Sequence, residues 1–327
     1  MNKYGLKNQP EGISHPTQAE PSAPLDLPAG VHVFERGWLS ANNILFVDGD
    51  KTVLVDSGYC THAAQTQLLV EGMLGNRPLD MLVNTHLHSD HCGGNAALQA
   101  RYPALQTLIP PGHAPQVAQW DAEALTYLPT GQSCPRFGFT QTLQPGSDIR
   151  FGAAPWQIHA AAGHDPHSVI FFNAETRVLI SADALWENGF GVVFPELEGA
   201  DAFEEVAATL QLIEQLNPEI IIPGHGRIFR YTPETLAKAR QRLDFFRASP
   251  VKHARHAVKV LLKFKLLEVQ WQSTAEFKQW AMTTPYFGQI RTRFFEAIPM
   301  EAWLDQLCAE LIAAGVAKKE SEYIQNV

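Results

Sequence analysis

A chain of 327 residues with a formal net charge of −9 is long enough for two domains and for a core that needs no disulfide staples. Its 45% apolar and 18% charged residues exclude wholesale disorder, and no run reaches the ~18 apolar residues of a membrane span, so no membrane partner is expected. Four widely spaced cysteines (Cys60, Cys92, Cys134, Cys308) form no CxxC pair, which argues against a disulfide framework and suits a reducing cytoplasm.

Residues 1–27 are polar and Pro/Ser-rich, lack the apolar stretch of a secretory leader, and read as a mobile lead-in. From Gly30 strands are expected: VHVF, then NILFVDGDKTVLVDSG, whose two apolar runs flank the turn signal Asp48-Gly49-Asp50. A helix is expected over 61–75, a buried strand over 80–85, a helix from GGNAALQA, and a strand over 105–109. The Pro-, Gly- and Thr-rich stretch 121–147 reads as a long loop of the kind that often carries function. Strands return at 156–160, 168–172 and 177–181, followed by a helix at 201–216 and a strand at 219–223. This alternation predicts an α/β domain over residues 28–230. After Thr232-Pro233 the period turns helical, with Leu236, Ala239, Leu243 and Phe246 on one stripe. Ser273 is placed to cap a helix ahead of Glu276, and Gly315 to end the stripe of Trp303, Leu304, Leu307 and Leu311. Residues 231–327 are therefore expected to form a mostly helical C-terminal domain.

The chemistry concentrates in Thr85-His86-Leu87-His88-Ser89-Asp90-His91-Cys92-Gly93-Gly94, directly after a predicted strand. His86 and His88, two apart on extended backbone, project to one side. Asp90 and His91 fall on the turn into the next helix, so the two pairs can face two neighbouring metal ions. Gly93-Gly94 permits close backbone approach. Three further candidate ligands, His164, Asp183 and His225, each stand where a later apolar run stops, which places them on one sheet edge, where α/β folds build their sites.

This HxHxDH run resembles the signature of the metallo-β-lactamase-fold hydrolases. The downstream His, Asp and His follow in that family's order at spacings of 73, 19 and 42 residues. The resemblance spans roughly residues 30–230 and implies a four-layer αββα fold. It also implies that His86, His88 and His164 hold one metal, that Asp90, His91 and His225 hold the second, and that Asp183 bridges them. Asp56 in LVDSG matches an aspartate that supports the metal loop from behind. Two divalent ions are implied, zinc being favoured by imidazole-rich ligands and iron or manganese also suited. A metal-bridging hydroxide, oriented by Asp90, would then act as nucleophile near neutral pH. The bridging carboxylate resembles that of glyoxalase II-like thioesterases, lactonases and nucleases of this fold, whereas true lactamases generally lack it.

A small-molecule ester, thioester or lactone is the expected substrate. Tyr127, Cys134, Arg136, Phe137, Trp186 and Phe190 are candidates to line its pocket. The net charge is unevenly spread: residues 1–226 carry 9 Lys+Arg against 24 Asp+Glu, whereas 227–293 carry 14 against 4. Lys252, Arg255, His256, Lys259 and Lys263 share about 100° of helical arc. That stripe reads first as a solvated face or a dimer contact and would also suit an anionic substrate or, less favoured, RNA, and a helical tail on this fold resembles the winged-helix-like tail of β-lactamase-like endoribonucleases. A phosphodiesterase or endoribonuclease and a non-catalytic metal-site sensor therefore stand as alternatives, and a homo-oligomer is open.

Overall fold

The computed structural model describes residues 25–327, so the expected mobile lead-in lies outside the described residues up to 24; Leu25 and Leu27 already pack on the core. The first sheet runs β1 (Val31–Phe34), β2 (Asn43–Phe46), β3 (Val53–Val55), β4 (Met81–Val83), β5 (Gln106–Ile109) and β6 (Gln141–Thr142) in spatial order. Its first three strands are antiparallel and β3 to β6 are parallel. The helices α1 (Ala63–Leu74), α2 (Ser89–Cys92), α3 (Asn95–Arg101), α4 (Ala114–Gln119) and α5 (Tyr127–Thr130) lie in the connections. The second sheet takes β7 (Asp148–Phe151), β8 (Ala154–Ala160), β9 (Val169–Asn173), β10 (Val178–Ala182), β11 (Ile220–Pro223) and β12 (Phe229–Arg230) in order. Its pairs are antiparallel except β10 with β11, whose crossover carries α6 (Phe194–Glu198) and α7 (Ala202–Leu216).

Strand parity makes the four layers. Ile44, Phe46, Val53, Val55 and Val83 from the first sheet meet Trp156, Ile158, Phe171, Ile180 and Ile222 from the second in one inter-sheet core. Their neighbours point the other way: Leu45, Leu54 and Leu82 pack under Val70, Leu74 and Leu98 of α1 and α3. Ile170, Phe172, Leu179 and Ile221 pack under Phe203, Val206, Leu210 and Ile213 of α7. Strands covered on both faces read as continuous apolar runs, which is why they were legible as runs and not as alternations. The αββα expectation holds.

The chain continues through α8 (Pro233–Ala248), α9 (Pro250–Val269), β13 (Trp271–Ser273), α10 (Thr274–Thr283), α11 (Pro285–Phe294), α12 (Met300–Ala313), β14 (Ala317–Glu320) and β15 (Tyr323–Asn326). The stripe Leu236, Ala239, Leu243 and Phe246 packs α8 onto α7 and the second sheet, while a second core draws on α9 to α12 from Ala254 onward and takes in Val192 and Leu197 from the first part of the chain. Ser273 caps α10 by accepting from Glu276 N, and Gly315 follows α12 with φ 70°. The small sheet β13-β15-β14 departs from the helical expectation. Its segments AKKE and YIQN bury only Ala317 and Ile324, too few apolar positions to show a period. Among the described residues no helix is long and apolar enough to cross a membrane.

The basic stripe of α9 is largely engaged by the chain itself. Arg255 Nε donates to Glu310 Oε1 at 2.9 Å, Lys259 Nζ lies 3.0 Å from Glu310 Oε2, and Lys263 Nζ donates to Val316 O at 2.7 Å. His253 is the buried exception on that helix, wedged 5.0 Å from the Phe203 ring and 4.7 Å from the Phe246 ring with neither ring nitrogen hydrogen-bonded. Burial, with His256 and Arg242 nearby, pushes its pKa down to about 3. The unfolded chain therefore takes up a proton that the folded chain refuses, so stability is full above about pH 6.5 and is lost as pH falls toward 3. His253→Phe should flatten that loss between pH 7 and 5 by up to about 1.4 kcal/mol per pH unit, read by urea unfolding at each pH. Equal slopes in the two proteins would refute the account.

Candidate metal centre

The parallel pairs β3–β4 and β10–β11 end at the same side of the sandwich, and the site stands there. His86 and His88 follow β4, and Asp90 and His91 open α2. His164 follows β8, Asp183 follows β10 and His225 follows β11. All seven converge. Ligand atoms of His86, His88 and His164 lie within 4.8 Å of one another, as do those of Asp90, His91 and His225 and those of His86, His91 and Asp183. Asp183 stands between the triads, Oδ2 3.4 Å from His164 Nε2 and Oδ1 3.4 Å from His91 Nε2.

Local backbone devices aim these groups. The register of β10 on β11 shifts between Ile180 and Ala182, and Ala182 has φ 45°, a bulge that turns Asp183 out of the sheet. A Cβ on Gly224 would stand 2.1 Å from Asp183 Oδ1, so only glycine lets β11 pass so close. Gly93 and Gly94 meet the same requirement, a Cβ there standing 2.4 Å from Ser89 O and 2.5 Å from Ser57 O. Asn42 ties the sheets together: its N donates to Gly224 O at 2.7 Å and its Nδ2 to Gly226 O at 2.8 Å.

Asp56 is buried and takes three hydrogen bonds: from Thr85 N at 2.9 Å, from Thr85 Oγ1 at 2.8 Å and from His91 Nδ1 at 2.7 Å. Burial alone would lower the His91 imidazole, but the carboxylates of Asp56, Asp183 and Asp90 outweigh it and hold it well above its ordinary value. Burial opposes ionisation of Asp183 too, yet His91 and His225 hold it well below the usual carboxylate range. His86 is lowered by burial and by its imidazole neighbours, and His88 is pushed down to about 4 by burial and His164. The cluster thus sets ionised carboxylates beside two kinds of imidazole: His86 and His88 are held neutral, whereas at His91 and His225 the neighbouring carboxylates outweigh burial and favour the protonated ring.

That donor set fits metal ions. His164 Nδ1 meets Val192 O at 2.5 Å and must donate to it, which leaves Nε2 as a lone pair. Thr85 Oγ1 gives its proton to Asp56, so His86 Nδ1 at 3.1 Å donates to it and His86 Nε2 is likewise a lone pair. Both face His88 Nδ1, at 2.8 and 3.1 Å. Three acceptors sharing at most one proton repel unless a cation lies among them. His91 Nε2 is buried with no hydrogen-bond partner, its other nitrogen committed to Asp56.

A cleft of about 1030 Å³ opens over the cluster. Among the pocket candidates only Trp186 lines it, donating from Nε1 to Asp183 Oδ1 at 3.2 Å. The expectation for the others is corrected: Tyr127 and Phe137 are buried in a separate cluster with Leu87 and Val117, Phe190 is buried under α8, and Arg136 is exposed away from the cleft. Cys134 packs at the edge of the same cluster as Tyr127, its Sγ 3.8 Å from Cys92 Sγ. The loop 121–147 reaches the cleft through its first half instead, between Glu123 and Gln132. Sequence reasoning missed Trp38, stacked on His225 at 5.4 Å, and a wall of Val260, Leu261, Phe264 and Tyr286 from α9 and α11. No local pattern in the sequence marks which face of α9 meets the site.

Residues 36–225 match the family described as the metallo-beta-lactamase superfamily. A probable metallo-hydrolase YybB of Bacillus subtilis is 24% identical over 57% of this chain and 81% of its own. The acyl-coenzyme A thioesterase MBLAC2 of Gallus gallus is 25% identical over 62% and 80%. A solved beta-lactamase domain protein from Burkholderia ambifaria covers 92% of this chain and 93% of its own with a TM-score of 0.58 at 18% identity, so the likeness of fold reaches into the C-terminal helices.

Asp56 gives the geometry a direct test. Asp56→Ala should leave His91 free to turn and lower metal affinity about 10- to 100-fold. Competition against a chromophoric chelator measures it, and unchanged affinity in a folded variant would remove Asp56 from the site.

Proposed function

The chain belongs to the metallo-beta-lactamase superfamily and is a metal-dependent hydrolase, and from that premise we propose that it cleaves a small-molecule ester, thioester or lactone. The observation that carries the reading is Asp183, which faces both triads at 3.4 Å and so supplies one carboxylate to two sites. Two divalent ions held there, zinc being the favoured choice for so many imidazoles, would supply Lewis acidity and an acidified water. The protein's own groups do the rest. Asp90 Oδ2, 3.0 Å from His225 Nε2, is an ionised acceptor at the cleft floor that can orient a water and take its proton. Trp38 and Trp186 stand edge-to-face at 5.3 Å beside His225 and narrow the entrance. Phe194, Leu261 and Phe264 give an apolar wall suited to the carbon chain of an acyl group.

The thioester branch draws support from the acyl-coenzyme A thioesterase relative. The nuclease branch draws less, because Arg255, Lys259 and Lys263 are spent on Glu310 and the C-terminal strand. The C-terminal order β13-β15-β14, a strand between helices joined to a closing hairpin, supports the winged-helix-like reading of that region as shape, without a nucleic-acid role.

Metal-loaded protein should turn over at least one of a thioester, a lactone or an aryl ester faster than a bis-aryl phosphodiester or single-stranded RNA, and a chelator should abolish that turnover. Asp183→Asn should lower kcat/KM at least about 100-fold and reduce bound metal. Chelator-insensitive turnover, or full activity in the variant, would sink the reading, and metal binding without turnover on any substrate would favour a sensor.

A further inference from the structure

Arg242, on α8, lines the same cleft as Asp90, His164, Asp183 and His225. Its neighbours on that helix are paired: Arg240 Nη2 lies 2.6 Å from Glu214 Oε2 and Arg247 Nη2 lies 2.6 Å from Glu204 Oε1. Arg242 is different. Among the described residues no carboxylate lies within 4.0 Å of its guanidinium, although Glu187 and Glu198 line the cleft. Burial is what lowers its pKa, with no acidic neighbour acting on it. Of its five N–H donors one is used, from Nη2 to His256 Nε2 at 2.9 Å, and Nε is buried without a partner.

The surroundings hold the guanidinium in place without neutralising it. The Phe190 and Phe246 rings flank it at 5.7 and 5.3 Å, contacts that favour a cation and leave the remaining donors open. His256 is pushed down to about 4 by burial, with Arg242 and Lys259 adding to it, so at neutral pH it accepts from the arginine and brings no charge. A partly buried guanidinium with unused donors and no counter-charge is complementary to a carboxylate or a phosphate, either of which accepts its paired N–H bonds.

Its position relative to the metal cluster follows from one turn. Trp186, bonded through Nε1 to Asp183, begins a tight turn closed by Trp186 N donating to Gly189 O at 2.6 Å. Gly189 lies flat on the arginine: a Cβ there would stand 2.8 Å from Arg242 Cδ. Even fully extended, the six residues from Asp183 to Gly189 span at most about 21 Å, and the turn folds that run back on itself. The apolar wall of Val260, Leu261 and Phe264 belongs to the same cleft.

We propose that Arg242 binds an anionic group, carboxylate or phosphate, that the substrate carries away from its scissile bond. The substrate class is then an ester or thioester with an apolar chain that ends in an anion. This rests on the hydrolase reading for the scissile bond, whereas the anion subsite stands on Arg242 alone and is tested without turnover.

Calorimetry on the metal-loaded full chain would compare monomethyl glutarate and propyl phosphate with their neutral counterparts dimethyl glutarate and propanol. Wild-type protein should bind at least one anion about 10-fold or more tighter than its neutral counterpart, and the stronger of the two names the source. Arg242→Gln should erase that ratio, Arg242→Lys should keep part of it, and 0.5 M salt should shrink it in the wild type only. An unchanged ratio in a folded Arg242→Gln variant would overturn the proposal. No preference for either anion in the wild type would overturn it as well, even if both variants failed to fold. Loss of ester turnover with the ratio intact would instead fault the hydrolase reading and leave the subsite standing.

Discussion

The site depends on one buried carboxylate at the end of β3. Asp56 sits in the left-handed region with φ 58°, a conformation that disfavours a side chain by about 1–2 kcal/mol. Three hydrogen bonds offset that strain, and each has a consequence. The bond from Thr85 N joins the strand ends of β3 and β4 just where their ladder stops. The bond from Thr85 Oγ1 turns that hydroxyl into an acceptor for His86, and the bond from His91 Nδ1 fixes the tautomer that leaves Nε2 open. Without Asp56 both imidazoles lose their orientation and the donor set no longer points inward.

The second constraint is topological. Ligands from two different sheets can converge only if both sheets end their strands on the same side. The parallel pair in each sheet ensures this, because parallel strands deliver consecutive loops to one edge. The sheets must also be held at a constant separation at that edge, which the inter-sheet core of Phe46, Trp156 and Phe171 and the strap at Asn42 accomplish. Close packing then leaves room only for glycine where the chain passes Asp183.

What could be read from the sequence was whatever is local or periodic. HxHxDH is a local motif, and His164, Asp183 and His225 were visible because each ends an apolar run. Asp56 was visible only through the resemblance of LVDSG to the family's pattern. Contacts between distant segments left no trace. Trp38 precedes β2 with no pattern around it, yet stacks on His225 from nearly two hundred residues away. Tyr127 and Phe137 sit in a stretch of loop composition and looked like pocket walls, but Leu125 in the same stretch and Trp120 just before it give them a core of their own. The basic arc on α9 read as a solvated face, a dimer contact or a surface for anions because its partner Glu310 lies on another helix. Strands β14 and β15 were hidden by polarity, since each buries too little to show its period.

The C-terminal region consequently has a role that its charge alone did not suggest. On α9 the cations Lys259 and Lys263 turn to α12 and the chain that follows it, while Val260, Leu261 and Phe264 turn toward the cleft that Arg242 of α8 also lines. The candidate ligands and this wall therefore come from different parts of the chain: every candidate ligand precedes residue 226, and one wall of the cleft follows residue 241. Tyr59 Oη, bonded to Glu268 Oε1 at 2.9 Å, and Tyr286, packed against Phe194, fasten that wall to the sandwich. A wall built on separate helices can change its side chains without disturbing the carboxylates and imidazoles that must stay balanced in a buried cluster. Substrate preference in such an arrangement is free to vary where the metal-binding geometry is not.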